Sequence, residues 1–299
     1  MHLRQGLVVR THGGHYYVQA NDAVIDCGMR GRLKQEKSRR DLVVIGDRVR
    51  WSPTEEGRGI IEEVLPRTSR LSRRRPHGDR EQILVANLDQ VFVVFSVRNP
   101  PLSPSALDRY LVACEAAHLP AIIVINKIDL LPPDASLGLL DRYRRIGYRG
   151  IHTSAETGTG MDSIRDLARE RISALVGPSG TGKSSILNAI WPHLNQKVGE
   201  ISGYHDQGRH TTVVSELLNP EPGVYIADTP GLRRFHLWDV DPEQLEAFFP
   251  EMAPYLNECH FATCTHMHEP DCAVRRAVKA GEIDEERYHS YQRLFRGNS

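Results

Sequence analysis

Residues 172–190 read ISALVGPSGTGKSSILNAI, and no other stretch restricts the fold of this 299-residue chain so tightly. Gly177, Pro178, Ser179, Gly180, Thr181, Gly182, Lys183 and Ser184 satisfy G-x-x-x-x-G-K-[ST] in full. The apolar run ISALV before them suits a buried strand. The run from Ser184 and Ser185 to Ile190 has helical spacing. Glycine-rich backbone between a strand and a helix can curl so that its N–H groups face a phosphate at the positive end of the helix. Lys183 is then the residue to reach the β- and γ-phosphates, and the Ser184 hydroxyl is a ligand for Mg²⁺. The motif says phosphate and is silent on the base.

The surrounding chain alternates in the way such a loop needs. QVFVVFSV and AIIVIN are near-continuous apolar runs of the kind buried in a parallel sheet. Between them SPSALDRYLVACEAAHL has helical spacing, with Ser103 or Ser105 as its N-cap. LLDRYRRIGY and DSIRDLARE read as helices, GIHTSA and GVYIADTPG as strands with turns. Residues 81–238 are therefore expected to form a doubly wound α/β domain. Residues 1–67 hold five short β-rich runs (GLVVR, HYYVQ, AVIDC, DLVVIGDRVRW and GIIEEVL), which suggests a small barrel of the OB type. Residues 68–80 are polar and Arg-rich and read as a linker. Residues 239–299 read as helical (PEQLEAFFPEM, AVRRAVKAG and EIDEERYHSYQRLF) around a Cys/His interruption.

Three shorter strings complete the site, and the first of them picks the base. NKID (Asn126, Lys127, Ile128, Asp129) ends the AIIVI strand. An aspartate there can accept two hydrogen bonds, from N1–H and the exocyclic amine of guanine, and adenine offers no such pair. The wrong base leaves a buried charge unpaired. The lysine stem can cover the ring face. In Thr153-Ser154-Ala155 a backbone N–H can meet guanine O6. DTPG, from Asp228 to Gly231, ends another strand, where the aspartate can hold the Mg²⁺ shell and the glycine can sense the γ-phosphate. In Ras-like GTPases the P-loop precedes the base-reading motif; here positions 126 and 153 precede 177 and 228. The same site is obtained if the old termini are joined and the chain is opened after the DTPG strand. The sequence thus resembles a circularly permuted GTPase, with the γ-phosphate switch leading straight into the C-terminal segment.

GRHTT, Gly208 to Thr212, stands where switch I belongs, and Thr211 or Thr212 is the expected Mg²⁺ ligand. Leu232 follows Gly231 where Ras-like enzymes place a water-orienting glutamine, so His210 is the candidate to orient or deprotonate water. A packing role for that histidine is the alternative.

Three of the five cysteines crowd one window, Cys259-x4-Cys264-x-His266-x5-Cys272, a full tetrahedral set for structural Zn²⁺. His260 and His268 compete with His266 as the fourth ligand. The formal net charge is zero, yet residues 1–85 carry 17 Lys/Arg against 11 Asp/Glu, and residues 239–299 carry 6 against 12. A basic head points to a polyanionic partner or to a merely solvated face. Arg30, Arg32, Lys34, Lys37, Arg39 and Arg40 lie where an OB barrel often carries a binding loop. Tyr16, Tyr17 and Trp51 are either base-stacking platforms or core residues. No apolar run reaches the ~20 residues of a membrane span, and the N-terminus lacks a secretory signal, so a soluble, cytoplasmic protein is expected. No motif calls for more than a monomer.

With GDRVRW in the head, NKID before GPSGTGKS, GRHTT, DTPGL and the Cys/His set, the chain resembles the ribosome small-subunit-dependent GTPase family, RsgA (also called YjeQ), over nearly its whole length. The resemblance implies an OB-fold head, a permuted GTPase domain and a zinc-binding tail. It also implies GTP and GDP as ligands, with late maturation of the small (30S) ribosomal subunit and its 16S rRNA as the setting. Hydrolysis would be stimulated by the subunit and linked to release. A GTPase switch on another partner, such as a tRNA-associated factor, is the alternative.

Overall fold

The computed structural model describes residues 3–31, 43–54, 57–74, 81–132, 138–196, 215–228 and 241–297. The β-rich head forms β1 (Arg4–His12), β2 (His15–Ala20), β3 (Ala23–Met29), β4 (Arg48–Pro53) and β5 (Gly59–Val64). Strands β1, β2 and β3 pair antiparallel, β3 pairs parallel with β5, and β4 joins β5 back to β1. The ring closes where β4 meets Arg4–Leu7 of β1, which leaves Arg10 and Thr11 of β1 an open edge. This is the OB order expected from the five runs.

Val8, Val18, Val49 and Ile61 fill the barrel around Trp51. The indole fits because β1 and β5 present glycines to it: a Cβ on Gly59 would lie 2.8 Å from the ring, and one on Gly6 would lie 3.4 Å from its Nε1. Trp51 is 2% exposed and Tyr16 6%, so both are core residues. Tyr17 remains half-buried at the surface, with the Arg10 guanidinium 3.9 Å above its ring. The run DLVVIGDRVRW, expected as one strand, is broken at Gly46, whose φ of 84° turns the chain. Asp47 beside it is fully buried and accepts two hydrogen bonds from Arg67, at 2.7 and 2.9 Å.

The stretch read as a linker contains strand β6 (Arg70–Arg74), which pairs antiparallel with β7 (Glu81–Ala86). Then follow β8 (Gln90–Ser96), α1 (Pro104–Ala116), β9 (Ala121–Asn126), α2 (Leu139–Arg145), β10 (Arg149–His152), α3 (Met161–Ala168), β11 (Arg171–Val176), α4 (Lys183–Ile190), β12 (Ser215–Glu221) and β13 (Val224–Asp228). Ser103 is the α1 cap: its Oγ accepts from the Ala106 amide at 3.3 Å. The central sheet runs β10-β9-β8-β11-β13-β12, all parallel except β12. β12 also pairs with β1, through Arg10 opposite Glu216 and Thr11 opposite Ser215, so barrel and central sheet form one eleven-stranded sheet.

The last segment is partly 3-10 rather than α-helical. Pro242–Phe248 and Pro250–Glu258 are 3-10 turns, and Pro250 and Pro254 remove the donors an α-helix would need. Helices α5 (Ala273–Lys279) and α6 (Glu285–Phe295) follow. Phe249, Met252, Tyr288 and Tyr291 pack there with Val112 of α1, so the segment sits on the outer side of that helix. Among the described residues no helix is long and apolar enough to cross a membrane.

Candidate nucleotide and metal sites

In a parallel sheet every carboxyl end lies on one edge, and loops there share a crevice. Along that edge stand, in spatial order, Thr153 after β10, Asn126 at the end of β9, the loop after β8, Gly177 after β11 and Asp228 at the end of β13. Reversed in the chain, the strings are neighbours in space.

Asn126 makes the junction. Its side chain is 1% exposed; Nδ2 donates to the Thr181 carbonyl at 2.9 Å, and Oδ1 accepts from the Thr153 hydroxyl at 3.1 Å. One amide thus ties the phosphate loop to the loop after β10. The fit needs Gly182 at φ 93°, because a Cβ there would run into Asn126 Nδ2. Gly177 passes so close to the Val94 carbonyl of β8 that any side chain would collide with it. The Lys183 ammonium donates to the carbonyls of Gly177 and Pro178, at 2.8 and 2.7 Å, and so lies across the mouth of its own loop. Ser184 and Ser185 are in the first turn of α4, and Ser179 and Gly180 are exposed on the loop.

The base-reading loop is equally built. Lys127 adopts a left-handed backbone, φ 63°, which turns the chain out of β9 into a short 3-10 turn from Ile128 to Leu130. The Ile128 amide donates to the Thr153 carbonyl at 3.2 Å. Asp129 is exposed, and its Oδ1 accepts from the Ser154 hydroxyl at 2.5 Å. Ser154 Oγ accepts in turn from the Thr157 amide at 3.1 Å. The carboxylate keeps a second oxygen for a ligand, while buried Ser154 sets its direction. Ala155 is half-buried beside them. Thr157 is a support outside the string Thr153-Ser154-Ala155, and the side-chain bonds of Thr153 and Ser154 arise from the fold.

Thr211, Thr212, His210 and Gly231 lie outside the described residues, as do Arg32, Lys34, Lys37, Arg39 and Arg40 of the basic loop. Asp228 is placed by its backbone alone, opposite Glu216.

At the other end of the chain, the ligand atoms of Cys259, Cys264, His266 and Cys272 all lie within 4.8 Å of one another. His266 Nδ1 is 3.5 Å from the Cys259 sulfur and 3.3 Å from that of Cys272; the two sulfurs are 3.9 Å apart. Of the three candidate histidines it is His266 that joins the thiols, while His260 and His268 are exposed. His266 Nε2 pairs with Glu246 Oε2 at 2.7 Å, the arrangement that orients a metal-bound imidazole. Tyr288 and Tyr291 donate to the carbonyls of His266 and Thr265, at 2.6 and 2.8 Å. Burial alone would raise the Glu269 carboxyl, yet the Thr265 hydroxyl and backbone N–H groups hold it down to about 2. The group can hold a metal ion.

Residues 64–238 match the model of the RsgA GTPase family, and residues 5–61 match that of the RsgA N-terminal domain. The chain belongs to the RsgA GTPase family. Two relatives, each named small ribosomal subunit biogenesis GTPase RsgA, come from Gemmatimonas aurantiaca and Moorella thermoacetica. The first is 45% identical over 97% of this chain and 95% of its own length, the second 42% over 96% and 94%. Among solved structures, YjeQ from Thermotoga maritima aligns with a TM-score of 0.79 at 34% identity over 99% of both chains. YloQ, described as a circularly permuted GTPase, aligns at 0.77 with 31% identity over 99% of this chain and 95% of its own. The RsgA assignment agrees with the motif order: NKID and Thr153–Ala155 precede the phosphate loop in sequence and are hydrogen-bonded to it in space through Asn126.

Proposed function

We propose that this RsgA-family GTPase hydrolyses GTP to GDP and phosphate in the biogenesis of the small ribosomal subunit, as the names of its relatives state for them. The observation that carries the nucleotide reading is Asn126, hydrogen-bonded at once to the phosphate loop and to the loop after β10. Backbone N–H groups from Gly177 to Ser184 and the Lys183 ammonium hold the phosphates. Asp129 selects guanine, with Lys127, Ser154 and Ala155 completing its pocket. Ser184, Asp228 and Thr211 or Thr212 would hold Mg²⁺, which neutralises phosphate charge. His210 orients the attacking water, and Gly231 senses the γ-phosphate. Residues 1–67, 81–238 and 239–299 are the head, the nucleotide domain and the tail. They act as a cytoplasmic monomer in contact with 16S rRNA, the basic head supplying charge for phosphate contacts.

The tail metal is zinc. Ligand bonds of about 2.3 Å to sulfur and 2.1 Å to nitrogen in a tetrahedron give edges of ~3.8 and ~3.6 Å. The 3.9 Å sulfur pair and the 3.3 and 3.5 Å sulfur–nitrogen pairs are close to these. A closed set of three thiolates and one imidazole is structural rather than catalytic.

The test is GTP turnover alone and with small subunits, large subunits or bulk tRNA. Selective stimulation by small subunits is expected. Stimulation by tRNA alone would transfer the function to the alternative partner.

A further inference from the structure

β8 lies between the strand of the base-reading motif and the strand of the phosphate loop, so its carboxyl-end loop, residues 97–103, falls between the two halves of the site. No motif marks this loop. It is held at both ends: the Val97 amide donates to the Asn126 carbonyl at 3.1 Å, and Ser96 Oγ donates to the Pro100 carbonyl at 2.8 Å. Within it Asn99 takes φ 51°, a left-handed conformation that asparagine tolerates better than other side-chain-bearing residues. This turn points its carbonyl at the base-reading loop, where the Lys127 ammonium donates to it. On the other side Gly180 of the phosphate loop faces Pro100, whose Cδ lies 3.4 Å from the position of a Cβ there. The Asn99 oxygen is 3.9 Å from the same point.

We propose that Asn99 is a positioning residue for guanine-nucleotide binding. Its backbone carbonyl anchors the Lys127 ammonium, so that the lysine stem lies extended as a wall of the base pocket instead of sampling solvent. The inference rests on the guanine-site reading above and deepens it. A free lysine keeps most of its rotamers and must give them up when the base binds. A lysine already tethered at both ends has lost them beforehand, which raises affinity without touching the reacting phosphate. Asn99 should therefore act on nucleotide affinity and not on the chemical step.

The experiment compares Asn99→Val, Asn99→Gly, Lys127→Met and the double variant Asn99→Val/Lys127→Met. Fluorescent GDP binding and steady-state GTP turnover are the readouts. Valine cannot hold the left-handed turn without strain, whereas glycine can. Asn99→Val should weaken GDP binding and raise KM for GTP by about ten- to a hundredfold, the worth of one charge-assisted hydrogen bond, with kcat within about twofold. Asn99→Gly should bind like the parent. Lys127→Met, which retains the stem and loses the ammonium, should match Asn99→Val, and the double variant should be no weaker than either single one. Additive losses in the double variant, or a fall in kcat at unchanged KM, would overturn the proposal. If Asn99→Val does not fold, Lys127→Met still decides: parent-like affinity in that variant refutes the anchor. Failure of the guanine reading itself shows elsewhere, as unaltered base preference in Asp129→Asn.

Discussion

At the scale of single residues the site works by pairs in which one member is obvious and the other is not. Asp129 could be named from NKID, but its orientation depends on Ser154, whose hydroxyl occupies one carboxylate oxygen. Asp129→Asn replaces an acceptor by a group that is half donor, which suits xanthine and not guanine. GTP binding should weaken about a hundredfold, with a gain for xanthosine triphosphate. Competition against labelled GDP measures both, and an unchanged guanine preference refutes the base-reading assignment. Lys183→Ala should abolish turnover in a phosphate-release assay, since Lys183 is the cation placed on the loop. His266 has a silent partner too: no spacing rule pointed to Glu246, twenty residues upstream, which bonds its Nε2. Glu246→Gln should lower zinc affinity ten- to a hundredfold in competition with a chromophoric chelator, with folding at saturating zinc retained.

At the scale of elements, Gly182 makes the convergence of strings testable. Its φ of 93° and the adjacent Asn126 amide leave no room for a methyl group. Gly182→Ala should push Asn126 off the Thr181 carbonyl and cut kcat/KM at least about tenfold, while far-UV circular dichroism stays unchanged. Apolar runs such as QVFVVFSV and AIIVIN were readable because strands buried on both faces need unbroken hydrophobicity. β12 was not: SELLNPE mixes charge and a proline, and it pairs antiparallel at the junction with the barrel, where neither periodicity holds. Arg70–Arg74 was hidden likewise, because a run so rich in arginine carries no strand pattern although Leu71 is fully buried. In the tail the helical spacing of PEQLEAFFPEM was real, but Pro250 splits it and 3-10 geometry replaces α. The motif strings were thus legible as chemistry, while the hydrogen bonds that join them, and the partner Glu246, exist only through the fold.

At the scale of the whole molecule, the tail is fastened to the nucleotide domain by a buried ionic knot. Arg287 is 1% exposed and donates to Glu251 at 2.6 and 3.1 Å and to Asp108 of α1 at 2.7 Å; the Tyr143 hydroxyl donates to the same Asp108 oxygen at 2.8 Å. The guanidinium also lies 4.7 Å from the centre of the Phe249 ring. Asp108→Ala leaves that cation short of one counter-charge in an apolar interface and should cost about 3 kcal/mol in thermal or denaturant unfolding. Stripping the metal with a chelator should unfold the loop between Cys259 and Cys272 while guanine-nucleotide binding persists, which hydrogen exchange can map.

The seam between barrel and central sheet bears on how such a molecule can grip something large. Val9 and Ile45 of the head belong to the same apolar cluster as Val91 and Phe95 of the central sheet. Ile45 bridges Val85, and Asn87 donates to the Gly46 carbonyl at 2.8 Å. Head and nucleotide domain are therefore not beads on a string but two jaws of a fixed caliper, its opening angle set by the twist of shared strands. Whatever docks on both must match an angle that the shared strands have already set.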